Sequence, residues 1–307
     1  GIVDMPSSRR VNKIPVIRGG GIAFLPIAFL WFISYISIAE KMNINILTVS
    51  VILSLLLCFV YFYEDIANLH QIIRFVIQAI CIGVIMIFFH QELSIFYFFD
   101  HGIDIFITSF LWLWFVNLYN FMDGSDGMTS VNTVTIFGSI AVVSYLAKIP
   151  FYETIVLLSI FISSCMVIFA RFNWHPAKIF IGDCGTISIG FIIGAILIHM
   201  ANHLGIIIPF MIPAYYIADA TMTILIRLIN GEKIWEPHLK HFFQIAILNG
   251  CSHKKIAFIS GVSNLISLSM SVVLLYHNHL GVKVSAVLVV ILCNIFILKY
   301  FKNYGKN

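Results

Sequence analysis

Ten stretches of this chain are long and apolar enough to cross a lipid bilayer, and nothing else in the sequence constrains the fold as much. A crossing helix needs about 20 mainly apolar residues, since each residue advances it by only about 1.5 Å. The stretches run Gly21 to Ala39, Ile44 to Tyr63, Ile72 to Phe89, Ile103 to Tyr119, Met128 to Ala147, Thr154 to Ala170, Thr186 to Met200, Leu204 to Leu228, Ile256 to Tyr276 and Val282 to Leu298. The seventh is short but bounded by polar loops. Ile95 to Phe99 is too short to cross and is expected at the interface. Charge is scarce to match: Asp, Glu, Lys and Arg make up 10% of the 307 residues and apolar types 60%. So few charges cannot clothe a water-soluble protein. The expected fold class is all-α: a polytopic membrane protein of about ten transmembrane helices, forming one domain over residues 1–307.

Ten spans put both chain ends on one side. If that side is cytosolic, its loops are about 1–20, 64–71, 120–127, 171–185 and 229–255. All of the 18 basic residues except Lys41, Lys148 and Lys283 then face the cytosol. Basic loops favour the inner side, so this orientation is selected. A net charge of +4 gives no reason to expect nucleic acid. The six cysteines, at 58, 81, 165, 184, 251 and 293, form no close pairs and are expected as small core residues.

Five polar clusters fall on that same side. Asp4 to Gly21 contains Arg9, Arg10, Lys13 and Arg18 ahead of three glycines. It could cradle a phosphate or simply lie on anionic lipid. Glu64-Asp65 ends the second span and is followed by Asn68, His70 and Arg74; adjacent carboxylates beside a bilayer call for a cation. Asn120, Asp123 and Asp126 recur every three residues, so a helical turn would gather them. Two carboxylates and an amide at a helix mouth suit Mg²⁺. Asp183 sits between Gly182 and Gly185, at the start of the seventh span. His238 and His241 lie in a basic loop, with His253-Lys254-Lys255 beyond it; they read as anion contacts, since no third soft ligand is near.

The combination resembles the polyprenyl-phosphate N-acetylhexosamine-1-phosphate transferases. The family's Asp-x-Pro-x-x-Arg…Pro…Arg-Gly-Gly-Gly pattern is met by Asp4, Pro6, Arg9, Pro15, Arg18, Gly19, Gly20 and Gly21. Asn-x-x-Asp-Gly-x-Asp-Gly is met by Asn120, Asp123, Gly124, Asp126 and Gly127. Asn-x-x-Pro-Ala-Lys-x-Phe-x-Gly-Asp-x-Gly is met by Asn173, Pro176, Ala177, Lys178, Phe180, Gly182, Asp183 and Gly185. Glu64-Asp65 stands where the family usually has Asp-Asp, and Asn12 where it usually has His. His238-Leu239-Lys240-His241 lacks the adjacent histidines and looks like the O-antigen-initiating branch.

The resemblance implies transfer of a sugar 1-phosphate from a UDP-N-acetylhexosamine, arriving from the cytosol, to undecaprenyl phosphate in a bacterial inner membrane. It implies Mg²⁺, or Mn²⁺, at Asp183 with Asp126 nearby. Arg18, Asn120, Asp123, Asp126, Asn173 and Lys178 would bind substrate. Glu64 and Asp65 would activate the lipid phosphate, and His238 and His241 would hold phosphate oxygens. Members commonly have eleven spans, so a further one is expected before Gly1. A homodimer is left open. A multi-pass transporter is the rival reading, with Asp219 as its intramembrane acid and Arg227 two turns on. A CDP-alcohol phosphotransferase is disfavoured, because Ser125-Asp126-Gly127 follows Asp123-Gly124 in place of that family's pattern.

Overall fold

The computed structural model describes residues 3–4, 15–39, 45–67, 69–234, 236 and 238–305. Twelve α-helices account for nearly all of it: α1 (Leu25–Ala39), α2 (Ile46–Ala67), α3 (Gln71–Leu93), α4 (His101–Phe121), α5 (Met128–Ala147), α6 (Tyr152–Asn173), α7 (Gly182–Leu204), α8 (Ile207–Met211), α9 (Ala214–Ile229), α10 (Phe242–Leu248), α11 (His253–Tyr276) and α12 (Leu280–Asn303). Two short strands, β1 (Val3–Asp4) and β2 (Val16–Ile17), pair antiparallel. Among the described residues eight helices are long and apolar enough to span a membrane, and α1 is a shorter apolar helix. The protein is an all-α multi-pass membrane protein. Large apolar side chains face outward where only lipid could cover them, Ile38, Ile87 and Phe88 among them.

The span expected over Leu204 to Leu228 is not one helix. The chain breaks between α8 and α9 at Ile212-Pro213. Proline has no N–H to donate and its ring collides with the carbonyl four residues back. Pro209 and Pro213 stand one turn apart here, and Gly205 takes a left-handed φ of 76° just before. The run Ile95 to Phe99 is a turn between α3 and α4, as its length demanded.

Helix α7 is the centre of the bundle. Its spanning window is wholly buried, while those of the other long helices are 22–50% buried. Small residues make this possible. A Cβ on Gly194 would meet the Trp112 ring at 2.5 Å, and one on Gly190 would meet Tyr119 at 3.1 Å. Glycine four residues apart lets α4 lie against α7, and the Trp112 indole N–H donates to the Phe191 carbonyl at 3.0 Å.

The segment before α1 is fastened to the start of α7. Phe180 N–H donates to Ile17 O at 2.7 Å, Gly20 N–H to Phe180 O at 2.8 Å and Gly21 N–H to Ile181 O at 2.8 Å. Backbones come so close that a Cβ on Gly21 would lie 2.5 Å from the Gly185 Cα. That contact fixes Arg18 beside Asp183. We predict that Gly21→Ala costs about 1–3 kcal/mol of stability by overpacking. Gly83→Ala, where a Cβ meets nothing within 4 Å, is the matched control. Thermal unfolding in detergent should lower the transition for the first and leave the second at or above wild type.

Candidate active site

Polar groups gather where α2, α4 and α6 end and α3, α5, α7 and α11 begin. Three carboxylates form the heart of this region: Glu64, Asp65 and Asp183 each offer an oxygen, all within 4.8 Å of one another. Two arginines compensate them. Arg18 Nη2 lies 2.8 Å from Asp65 Oδ1, 3.1 Å from Asp183 Oδ1 and 4.0 Å from Glu64 Oε2. Arg74 Nη1 lies 3.1 Å from Glu64 Oε1, and its other terminal nitrogen bonds Asp183. Burial works against the Arg18 charge, yet Asp183, Asp65 and Glu64 together raise its pKa above the ordinary value. Arg74 is anchored through its own backbone: its carbonyl accepts the Tyr61 hydroxyl at 2.9 Å, which Gln78 bonds in turn at 2.6 Å.

Local backbone explains why Gly182 precedes Asp183. Gly182 has φ 75°, the left-handed region that favours glycine. Its added Cβ would lie 2.7 Å from Asp65 Oδ2 and from Gly19. The N–H groups of Asp183 and Cys184 face the Asp65 carboxylate, so Asp65 sits at the positive end of α7. Glu64 Oε2 and both Asp65 oxygens are buried without a conventional hydrogen-bond partner, although Arg18 Nη2 lies 2.8 Å from Asp65 Oδ1. Three carboxylates, two of them with unpartnered buried oxygens, fit Mg²⁺ or Mn²⁺. Three acids against two arginines leave one negative charge in excess, which also fits a cation.

Asp126 belongs to a different group, with His175 and His253. Asp183 groups with Glu64 and Asp65, and Asp126 with the two histidines. His175 Nδ1 is 2.7 Å from Asp126 Oδ2, and Ala177 N–H donates to the same oxygen at 3.0 Å. His253 Nδ1 accepts the Asp126 N–H at 3.1 Å. A nitrogen that accepts an N–H has its lone pair engaged, so that atom is not available to a metal. Even with His253 Nε2 the group offers at most three ligands, fewer than the four of a closed zinc site.

Asp123 lies between the two groups and feels charges from both. Desolvation pushes its pKa up to about 6, against a hydrogen bond from Thr129 at 2.5 Å, with Asp183 and Asp126 adding to the rise and Arg18 opposing it. Asn120 Oδ1 accepts from Thr186 Oγ1 at 2.5 Å, which places it on the α7 side. Asn173 is buried, and its amide is engaged throughout. Its Oδ1 accepts from Gly127 N–H at 3.1 Å and Ser130 Oγ at 3.2 Å, and its Nδ2 donates to Ile179 O at 3.2 Å. Lys178 is exposed at the rim.

The two loop histidines separate in role. His241 is buried with Nδ1 3.2 Å from Asp219 Oδ1. Asp219 in turn accepts the Phe242 and Phe243 N–H groups at 3.1 and 3.2 Å, capping α10. His238 stacks on His241 at 4.9 Å, and its Nδ1 accepts Lys240 N–H at 3.2 Å, which leaves Nε2 as its donor. Desolvation, then the neighbouring His241 and Arg227, lowers its pKa to about 3. Helix α10 closes on the site through Gly124, where a Cβ would be 3.0 Å from Gln244 Nε2 and from Phe243. Arg227 pairs with Glu232 at 3.1 Å instead of with Asp219. Asp4's side chain, Pro6, Arg9, Arg10, Asn12, Lys13, Asn68, Trp235 and Pro237 lie outside the described residues.

Sequence placed Arg74 and His253 in polar clusters without assigning them a role in the site, and left His175 unmarked. For Arg74 a signal existed: it is a charge in the first turn of an otherwise apolar span. The Asp123 shift has a checkable consequence. Its folded-state pKa lies above the ordinary value of about 4, so the folded protein holds that proton more tightly than the unfolded chain. Its contribution is fully present below about pH 4 and is lost as pH rises through about 6. We predict that Asp123→Asn flattens this slope and raises the unfolding temperature at pH 7, read by thermal scans across that range without substrate.

The chain is similar in sequence to known proteins. The profile of glycosyl transferase family 4 matches residues 46–201, just over half of the 307 residues, and takes in Glu64, Asp65, Asn120, Asp123, Asp126, Asn173, Lys178 and Asp183. A probable undecaprenyl-phosphate N-acetylglucosaminyl 1-phosphate transferase of Bacillus subtilis (strain 168) is 27% identical over 267 residues, 83% of this chain and 72% of that protein. A phospho-N-acetylmuramoyl-pentapeptide-transferase of Carboxydothermus hydrogenoformans is 24% identical over 165 residues, 53% of this chain and 49% of that protein. One of Streptococcus pneumoniae (strain CGSP14) is 28% identical over 179 residues, 55% of this chain and 53% of that protein. The chain thus matches about half the length of these last two relatives.

Proposed function

The chain belongs to glycosyl transferase family 4, and on that premise we propose that it transfers N-acetylhexosamine 1-phosphate from a UDP-sugar to undecaprenyl phosphate, releasing UMP. One observation carries this reading. A cavity of about 320 Å³ opens between α3, α4 and α9, and its largely apolar lining, with Phe75, Phe110, Trp114 and Ile224, also includes Arg74, Asn117 and Asn120. Arg74 also belongs to the three-carboxylate cluster. A largely apolar space therefore adjoins the charged centre through Arg74. That is the shape an amphiphile needs if its phosphate is to react while its tail stays in lipid.

The reaction brings two anions together, so their repulsion must be screened. Arg18 and Arg74 supply fixed positive charge on either side of Asp183. A divalent ion held by Asp183 with Glu64 or Asp65 would neutralise pyrophosphate oxygens and the charge developing on the departing nucleotide. The lipid phosphate is a competent nucleophile near neutral pH, its second pKa being about 6. A single displacement then needs no covalent intermediate on Asp183. Glu64 and Asp65 both keep unpartnered oxygens, and Glu64 Oε2, 4.0 Å from Arg18 against 2.8 Å for Asp65 Oδ1, is the better placed to take a proton from a monoanionic acceptor. His238 Nε2–H suits a hydrogen bond to a phosphate oxygen, whereas His241 acts through Asp219 in holding α10. The basic residues cluster on the face that bears the site, which supports a cytosolic active site in a bacterial inner membrane. Initiation of O-antigen or another surface glycan is the role we assign, on the His238 to His241 segment.

The break between α8 and α9 is the one feature a transporter would share. Its cavity of about 230 Å³ is lined by Trp112, Phe115, Leu197, Pro209, Pro213 and other mainly apolar residues with no charged group, so it offers nothing to carry an ion. Purified protein given UDP-N-acetylglucosamine, undecaprenyl phosphate and Mg²⁺ should release UMP. Asp183→Asn should abolish release while leaving the unfolding temperature near wild type, and near-normal turnover in that variant would remove Asp183 from the centre. Ile224→Trp, which fills the cavity, should raise the KM for the lipid acceptor about tenfold and leave the KM for the nucleotide sugar unchanged.

A further inference from the structure

Asp126 is gripped from two directions by side chains the reaction does not otherwise use. From one side His175 Nδ1–H and Ala177 N–H both donate to Oδ2. From the other, His253 at the first residue of α11 accepts the Asp126 backbone N–H at 3.1 Å, with Ser125 Oγ 3.0 Å from the same nitrogen. The two imidazoles stack with centroids 4.6 Å apart and planes 9° from parallel, so each restricts rotation of the other. Three segments distant in sequence thereby meet on a single residue: the turn between α4 and α5, the loop between α6 and α7, and the start of α11.

What this grip leaves over is Asp126 Oδ1. The residue is only 5% exposed, and this oxygen is buried with no hydrogen-bond partner. A carboxylate oxygen buried without a partner is costly, on the order of 1–3 kcal/mol or more. Donors that reach the other oxygen and the backbone have not relieved it. Such an orphan calls for an explanation, and a ligand atom is the one consistent with its place beside Asp123.

We propose that His175 and His253 are positioning residues for the transfer: together they clamp Asp126 so that its unpartnered Oδ1 is fixed for a hydrogen-bond donor of the nucleotide sugar. This rests on the transferase reading. Neither histidine needs to touch the reacting phosphates, since both act through Asp126. Displacement of a substrate-holding atom by about 1 Å can lower turnover by on the order of 100-fold.

Isosteric variants separate the clamp from bulk packing. In His253→Asn the side-chain oxygen falls near the position of Nδ1 and keeps the acceptor; His253→Ala removes it. In His175→Asn the amide nitrogen keeps the donor to Oδ2. Two readouts are used, and one does not depend on activity. Hydrogen exchange of the peptide containing Asp126 should accelerate in His253→Ala and stay slow in His253→Asn. Transfer from radiolabelled UDP-N-acetylglucosamine should fall on the order of 100-fold in kcat/KM for His253→Ala and recover most of that loss in both Asn variants. In an Asp126→Asn background the further loss from His253→Ala should vanish, because residues acting through one atom are not additive. The proposal is overturned if exchange is unchanged in His253→Ala. It is equally overturned if His253→Asn is as impaired as His253→Ala at a wild-type unfolding temperature, or if the loss persists undiminished without the Asp126 carboxylate. Should His253→Ala not fold, retention of slow exchange and activity by His253→Asn supports the clamp and their loss overturns it. A wild-type protein without transferase activity would refute the proposed function, while the exchange result would still judge the clamp.

Discussion

Three carboxylates crowded within 4.8 Å cannot stand alone beside a bilayer, and the site is organised around that repulsion. Two unit charges 4 Å apart repel by about 4 kcal/mol at an effective dielectric constant of 20. Arg18 and Arg74 answer it, and each must be delivered from elsewhere in the chain. Arg18 arrives because β2 and the following glycines run along residues 179 to 181 through backbone hydrogen bonds. Arg74 arrives on the first turn of α3, tied by its carbonyl to Tyr61 of α2. Glycine at 21, 182 and 185 is therefore a condition of the electrostatics as much as of packing. Any side chain there would push Arg18 or Asp65 away from Asp183.

Buried acids in this protein divide by how fully they are bonded. Asp104, at the opposite end of the helices, accepts from Ser94, Ile95, Phe96 and Thr108 and pairs with His90 at 2.9 Å. Asp219 accepts from Tyr215, Thr223, Phe242, Phe243 and His241. Both are saturated and serve to cap turns and helix starts. Glu64 and Asp126 each keep one oxygen without a hydrogen-bond partner, and Asp65 keeps two. Saturation is the physical difference between an acid that holds the fold and one kept for a ligand. By that measure Asp219, which hydropathy alone marks as the intramembrane acid, belongs to the scaffold.

Motif spacing made Asp183, Asp123, Asp126 and Glu64-Asp65 legible as polar residues at helix mouths on one face. It left their partners unresolved, since spacing along one helix says nothing about which side chains from other helices reach it. Asn120, Asp123 and Asp126 share a period of three, yet their neighbours differ: Thr186 for the first, Thr129 for the second and His175 for the third. Asn173 matches its motif, but its amide joins Gly127, Ser130 and Ile179, so it fastens the two loops together. His238 and His241 look alike in sequence. Only the capping of α10 by Asp219 buries one and leaves the other half-buried.

What the sequence by itself determined was the solvent and the fold class. Apolar runs of spanning length leave a chain no fold but helices in lipid, because every backbone N–H and C=O must be bonded within the helix. The asymmetry of basic residues is equally local, and it puts the polar clusters on one side. Tertiary structure alone decided that Leu204 to Leu228 is broken, that α7 lies at the centre, and that Asp126 and Asp183 keep separate company. Those outcomes depend on which helices touch. Contact is set by small residues such as Gly190 and Gly194 meeting large ones on another helix, a match between positions far apart in the chain that no single stretch of sequence contains.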